Sequence, residues 1–258
     1  MDYFKKIEEN IYSDLLWNIP EQKQGSMAII GGNNQNFNFE IKTAESLLNK
    51  YPVQDVRVFL PDVLKNKLPP LENVTFLPST DSGSFAESDE LKSAFNVADF
   101  NIITGSLSKN SITEKAILSA CTLAEKPTLL TRDTIDLITN NNPESMLMNE
   151  NIIIFATMPG IQKLFRSVYY PKIITLSQSL MQIVEALHKF TLSYPTSIIT
   201  LCNNQILVAK NGNVFAVDLE KTSYTPLTMW MGDLATKIAV TNLYNPNNFE
   251  KATISAIF

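Results

Sequence analysis

The sequence predicts an α/β fold, with short apolar strands alternating with helices around a mainly parallel central sheet covered on both faces. Three observations carry that expectation. Apolar runs at residues 26–30, 56–60 and 100–104 resemble buried strands, and helical spacing recurs between the runs; this order builds parallel sheets. Late in the chain the period changes, and residues 198–202, 205–210 and 213–219 follow one another as strands. Only Asn203-Asn204 and Asn211-Gly212 separate them, and both pairs suit tight hairpin turns, so antiparallel strands are expected at one edge. Finally, neither an internal repeat nor a long linker interrupts the alternation, so residues 1–258 are read as one domain.

Each element has its own signal. Ile7, Ile11 and Leu15 recur at helical spacing, so residues 1–20 are expected as an N-terminal helix and lead-in, closed by Pro20. The strand at 26–30 stops at Gly31-Gly32, and a helix over 40–50 turns Ile41, Ala44, Leu47 and Leu48 inward. Strands at 56–60 and 74–77 flank a proline-rich turn, and residues 81–88 are polar and loop-like. A helix reaching Asn96 precedes the strand at 100–104. Helix 113–125, strand 128–131, short helix 134–139, strand 151–156 and helix 161–168 continue the alternation, and a longer helix spans 176–192. After the hairpins, helices are expected over 233–243 and from Asn247 onward.

Composition narrows the function. At 258 residues and 45% hydrophobic content the chain can bury a full core. A net charge of −5 argues against nucleic acid or an acidic membrane as the main partner. No apolar run reaches the eighteen or so residues of a membrane span, and the first ten residues are too polar for a signal peptide, so a cytoplasmic protein is expected. Cys121 and Cys202 lie in apolar segments without metal-ligand spacing, which suits reduced core thiols. Only 8 glycines occur, and phosphate-cradling loops usually depend on glycine.

The stretch Trp230-Met231-Gly232-Asp233 is the most informative. A glycine followed by an acid at a helix start can hold a phosphate on unpaired N–H groups, and the carboxylate can take a proton from a hydroxyl. The bland alternative is an acid placed early in a helix to suit its dipole.

The order of motifs resembles the NAD(P)H-hydrate dehydratases, ribokinase-like enzymes that use ADP or ATP to repair hydrated nicotinamide cofactors. Leu15-Leu16-Trp17-Asn18-Ile19-Pro20, then Gly25-Ser26-Met27-Ala28-Ile29-Ile30-Gly31-Gly32-Asn33, looks like the family's opening. Ala98-Asp99-Phe100-Asn101-Ile102-Ile103-Thr104-Gly105 falls at its strand and glycine-rich loop. Pro127-Thr128-Leu129-Leu130-Thr131-Arg132-Asp133 resembles its Leu-Asp-Ala-Asp-Ala-Leu strand end, and Ala156-Thr157-Met158-Pro159-Gly160 its Thr-Pro-His turn. Leu201-Cys202-Asn203 falls where Leu-Lys-Gly is expected, and Gly232-Asp233 completes a Gly-Ser-Gly-Asp motif.

That resemblance implies a ribokinase-like fold and a set of roles. Asp233 would be the catalytic base, and Gly232, Met231 and Asn203 would meet the nucleotide phosphates. Gly32, Asn33, Gly105, Thr131, Asp133 and Met158 would line the substrate side. ADP or ATP with Mg²⁺ would be the cofactor, and NAD(P)H hydrate the substrate. The partner is then a small-molecule nucleotide, with no nucleic acid and no membrane; self-association into a homo-oligomer stays open, and no metal-ligating cluster is assigned.

The departures are chemical. Trp230 replaces the first glycine of the phosphate motif, Met158 replaces a histidine, Ile161 a glutamate and Cys202 a lysine. The expectation is therefore a dehydratase-like protein with weakened or lost catalysis. A non-catalytic nucleotide- or protein-binding relative is the alternative, and a ribokinase-like small-alcohol kinase the next. Weaker features favour structure over chemistry. His188 sits among Leu187, Phe190 and Leu192 as a helix residue, Asp133 and Asp136 suit capping, and Met229 and Met231 suit packing.

Overall fold

Alternating apolar residues send each central strand into two cores at once. In the computed structural model, which describes residues 2–172, 174–175 and 177–258, ten strands form a continuous sheet in the order β1-β10-β9-β8-β7-β6-β5-β2-β3-β4. The strands are β1 (Phe4–Ile7), β2 (Gln24–Gly31), β3 (Val53–Pro61), β4 (Val74–Leu77) and β5 (Phe100–Gly105). They continue with β6 (Thr128–Thr131), β7 (Ile152–Phe155), β8 (Ser197–Cys202), β9 (Gln205–Lys210) and β10 (Asn213–Asp218). All neighbours pair in parallel except β9, which runs antiparallel to both β8 and β10. The expected α/β class with antiparallel strands near one edge is what the chain forms.

Helices cover both faces. Ala28 and Ile30 of β2 pack into one core with Ile103, Leu130 and Ile154. That core lies beneath α2 (Asp89–Ala94), α3 (Ser111–Thr122), α4 (Thr134–Ile138), α5 (Glu144–Leu147), α6 (Met158–Ser167) and α7 (Leu180–Ser193). Met27 and Ile29 point the other way, to Ile102, Leu129 and Ile153, under α1 (Asn38–Lys50), α8 (Asp233–Leu243) and α9 (Phe249–Ile257). Two-sided burial explains why these strands read as unbroken apolar runs. In the first core, Phe190 stacks on Phe165 with ring centroids 4.2 Å apart, and Tyr170 meets both edge-on.

Both hairpin turns form as expected. Asn203 and Asn204 take φ of 48° and 61°, and Asn211 and Gly212 take 48° and 79°. Two consecutive positive φ angles give the turn whose twist matches the flanking strands.

The start of the chain differs from expectation. Ile7, Ile11 and Leu15 do not share a helix: Phe4–Ile7 is β1, and Ser13–Asn18 is a short 3-10 turn. β1 pairs in parallel with β10, so the tertiary edge decided a four-residue segment that local spacing misassigned. Helix starts also shifted. α6 begins at Met158 rather than residue 161, because the Thr157 hydroxyl accepts a hydrogen bond from the Gly160 N–H. α7 begins at Leu180, where Ser179 and Gln182 form a reciprocal capping box; the expected start at Leu176 lies outside the described residues. Cys121 and Cys202 are free and buried, and burial raises both thiols.

Candidate strand-end site

The parallel strands deliver the expected site residues to one end of the sheet, where ligands of open α/β folds gather. Gly32 and Asn33 follow β2, Gly105 ends β5, Thr131 ends β6 with Asp133 just beyond, and Asn203 follows β8. Met158 opens α6, just after β7.

Two cavities open there. The first, about 410 Å³, is lined by Asn33, Asn36, Phe39, Ser106, Arg132 and Asp133 among others. Its polar groups are largely engaged with one another. Asn33 Nδ2 donates to the Ser106 carbonyl, and Asn33 Oδ1 accepts from the N–H groups of Gln35 and Asn36 at 2.8 and 3.0 Å. Asp133 Oδ1 accepts from the Ser106 N–H at 2.9 Å, so this carboxylate ties two strand ends together. Although Asp133 is the N-cap residue of α4, its side chain makes no capping bond. Asp136 instead pairs with Lys163 of α6. Thr131 is buried, and Gly105 stands directly under Asp133 with φ of +85°.

The second cavity, about 260 Å³, is lined by Thr157, Met158, Pro159, Leu201, Cys202, Asn203 and Trp230. Met158 is 4% exposed, and Cys202 is buried. Trp230 packs against Phe155, the last residue of β7, with ring centroids 4.8 Å apart. Trp230, Met158 and Cys202 thus furnish a largely apolar wall.

The helix start at Gly232-Asp233 lies outside the lining of both cavities. Gly232 takes φ of +106°, and a Cβ placed on it would lie 2.7 Å from Phe39 Cζ. Phe39 carries the Arg132 guanidinium 4.0 Å from its ring centroid, so an aromatic and cationic ridge abuts this helix start. Asp233 is the first residue of α8, and its side chain is 74% exposed. Its carboxylate lies 3.5 Å from Lys50 Nζ, and it lines neither cavity. Met231 is exposed, while Met229 is fully buried.

Phe39 and Arg132 are cavity-lining residues that sequence reasoning missed, as it missed the buried Glu40. Glu40 lies on α1 and is 0% exposed. Its Oε1 accepts from Thr104 Oγ1 at 2.7 Å, and among the described residues Oε2 has no partner. Burial pushes its carboxyl above the ordinary carboxylate range. Gly31 makes room for it, since a Cβ there would lie 2.3 Å from Thr104 Oγ1 and 2.8 Å from Glu40 Oε1. An acid in the first turn of a helix reads as a solvated residue, so the sequence held no sign of it. His188 is structural, as expected: its ring stacks on Tyr3 at 3.7 Å and hydrogen-bonds the Gly212 carbonyl. Among the described residues, no three His, Cys, Asp or Glu side chains gather as a metal-binding group, and no helix is long and apolar enough to cross a membrane.

Comparison with solved structures places this arrangement in a fold class. A ribokinase-like superfamily protein from Enterococcus faecalis superposes with a TM-score of 0.66 at 14% identity, over 100% of this chain and 86% of that one. The ADP/ATP-dependent NAD(P)H-hydrate dehydratase from Bacillus subtilis gives 0.61 at 12% identity, over 96% of this chain and 84% of its own. A hypothetic protein from Streptococcus mutans gives 0.63 at 13%, over 96% and 87%. No protein-family model and no curated protein sequence matches the chain. The fold is therefore ribokinase-like, as the resemblance of motifs implied.

Proposed function

We propose that this chain is an NAD(P)H-hydrate dehydratase-like protein in which ADP- or ATP-dependent dehydration is weakened or lost. One observation carries the reading: the expected base, Asp233, is exposed beside Lys50 and lines neither strand-end cavity. A positioned base must reach the proton it abstracts, and an anion-binding helix start must leave its N–H groups accessible. Asp233, exposed and outside the lining of both cavities, supports loss of the first. A triphosphate with Mg²⁺ does not fit these residues, since Trp230, Met158 and Cys202 supply apolar surface where charge-bearing or flexible groups would be needed. What the cleft retains is the cavity over β2, β5 and β6, where the Arg132 guanidinium suits binding without turnover of a small nucleotide.

The test is ADP- or ATP-dependent dehydration of NADPH hydrate, followed by the return of reduced-nicotinamide absorbance, with calorimetric titration of ADP, ATP and NADPH hydrate alongside. Wild type should show little or no nucleotide-dependent rate, and Asp233→Asn should change nothing. Turnover like that of an active dehydratase, falling about 10²- to 10⁴-fold in Asp233→Asn as loss of a positioned base does, would refute the proposal.

A further inference from the structure

A third cavity lies at the opposite end of the sheet from the strand-end site. It occupies about 300 Å³ between the starts of β5 and β7, the end of β9 and the α8–α9 corner. Phe100, Ile153 and Phe249 form apolar walls, and Lys210, Asn247 and Glu150 are among the polar residues of the lining.

Lys210 is the unusual member. It is half-buried at the end of β9, with its ammonium 4.7 Å from the Phe249 ring centroid. Among the described residues no carboxylate pairs with it. A ring face offsets only part of the hydration that a half-buried ammonium gives up. Burial lowers its proton affinity, and the more distant Glu250 and Glu150 act in the opposite direction. Asn247, an exposed residue of the same lining, makes no side-chain hydrogen bond among the described residues and can donate to a ligand.

We propose that this cavity is a second binding site, for a small organic monocarboxylate whose charge pairs with Lys210. The walls select the ligand class. Glu150 and Glu250 repel any anion here, and a phosphate, carrying close to two charges near neutrality, meets that repulsion about twice as strongly as a monocarboxylate does. Phe100, Ile153 and Phe249 reward an apolar body. The volume sits at the lower end of ligand pockets, about 300–1,000 Å³, which favours a ligand of few atoms. This site lies at the far end of the sheet and stands independently of the function proposed above.

Propionate is the probe, titrated calorimetrically into the full chain at neutral pH, with propionamide and inorganic phosphate as controls. Propionate should bind with a dissociation constant on the order of 1 mM, as suits a ligand of five heavy atoms, and backbone NMR signals of Phe100 and Phe249 should shift. Lys210→Met should weaken binding about tenfold or more, and Lys210→Arg should retain it, as expected when one charge-assisted contact is removed or kept. Glu150→Gln, which removes a repelling carboxylate from an exposed position, should tighten binding roughly threefold and gives a readout that does not depend on how Lys210→Met folds. The site is refuted by the absence of heat with propionate, by equal binding of propionamide or phosphate, or by a folded Lys210→Met that binds like wild type. Weaker binding to Glu150→Gln would refute it too.

Discussion

Replacing Gly105 by alanine tests how the two strand ends β5 and β6 are joined. Gly105 has φ of +85°, and a Cβ added there would lie 1.9 Å from Asp133 Oδ1 and 3.0 Å from its Cγ. The left-handed backbone costs an L-residue about 1–2 kcal/mol. The overlap forces the Asp133 carboxylate aside, and the 2.9 Å bond from the Ser106 N–H breaks with it. A bond to a charged acceptor contributes about 1.5–3 kcal/mol net, less at this half-buried position. Gly105→Ala should therefore destabilise the fold by about 2–4 kcal/mol, or roughly 5–15 °C in Tm for a chain of this size. Asp133→Ala already lacks the bond and leaves space for the methyl group. In that background the glycine substitution should cost only the backbone component, about 1–2 kcal/mol. Urea denaturation of wild type, both single variants and the double variant completes a thermodynamic cycle, with an expected coupling of about 1–2 kcal/mol. Additivity to within about 0.5 kcal/mol would show that the carboxylate is not displaced, and would refute the reasoning.

Two further outcomes follow from buried groups. Because burial holds the Glu40 carboxyl above its ordinary value of 4.5, the folded state keeps a proton that the unfolded chain releases. The sign is then fixed: stability falls as pH rises from 4.5 through the folded-state value. Glu40→Gln cannot ionise and should lose less stability between mildly acidic and mildly alkaline pH; each tenfold gain in proton affinity corresponds to about 1.4 kcal/mol. Urea titrations at both ends check this, and a steeper fall in the variant contradicts it. Phe190→Ala should cost about 3–5 kcal/mol, since it empties a fully buried site stacked on Phe165; a loss below about 1 kcal/mol by thermal melting would contradict tight packing there.

The central strands were legible because each carries its own pattern and is buried on both faces, so the segments around Ile29, Val58, Ile102 and Leu129 leave little choice. The hairpins were equally plain, since Asn and Gly tolerate positive φ at small cost. β1 was not legible: its four residues include two exposed lysines, and its partner β10 is distant in sequence. For the site, strand ends placed Asn33, Gly105 and Asp133 near one cavity through topology alone. Which way the Asp233 carboxylate turns depends on Lys50, a side chain from another helix, and no local pattern encodes it. The same holds for Phe39, which touches Gly232 only once α1 and α8 are side by side.

The pairing of β1 with β10 carries a consequence for how the chain is made. Phe4 meets Val214, Asn18 Nδ2 donates to Asn245 Oδ1 across 227 residues, and Asn10 reaches Ser255. During translation the first strand therefore waits for about two hundred residues to emerge, roughly 10–40 s at ordinary synthesis rates. Throughout that interval β1 has no partner, and the flank of β10 that it will cover does not yet exist. The charge on Lys5 and Lys6 keeps so short an unpaired strand from recruiting another chain while it waits. Its docking cannot precede the emergence of β10, and a ribosome stalled before Val214 would display a sheet whose last edge is still missing.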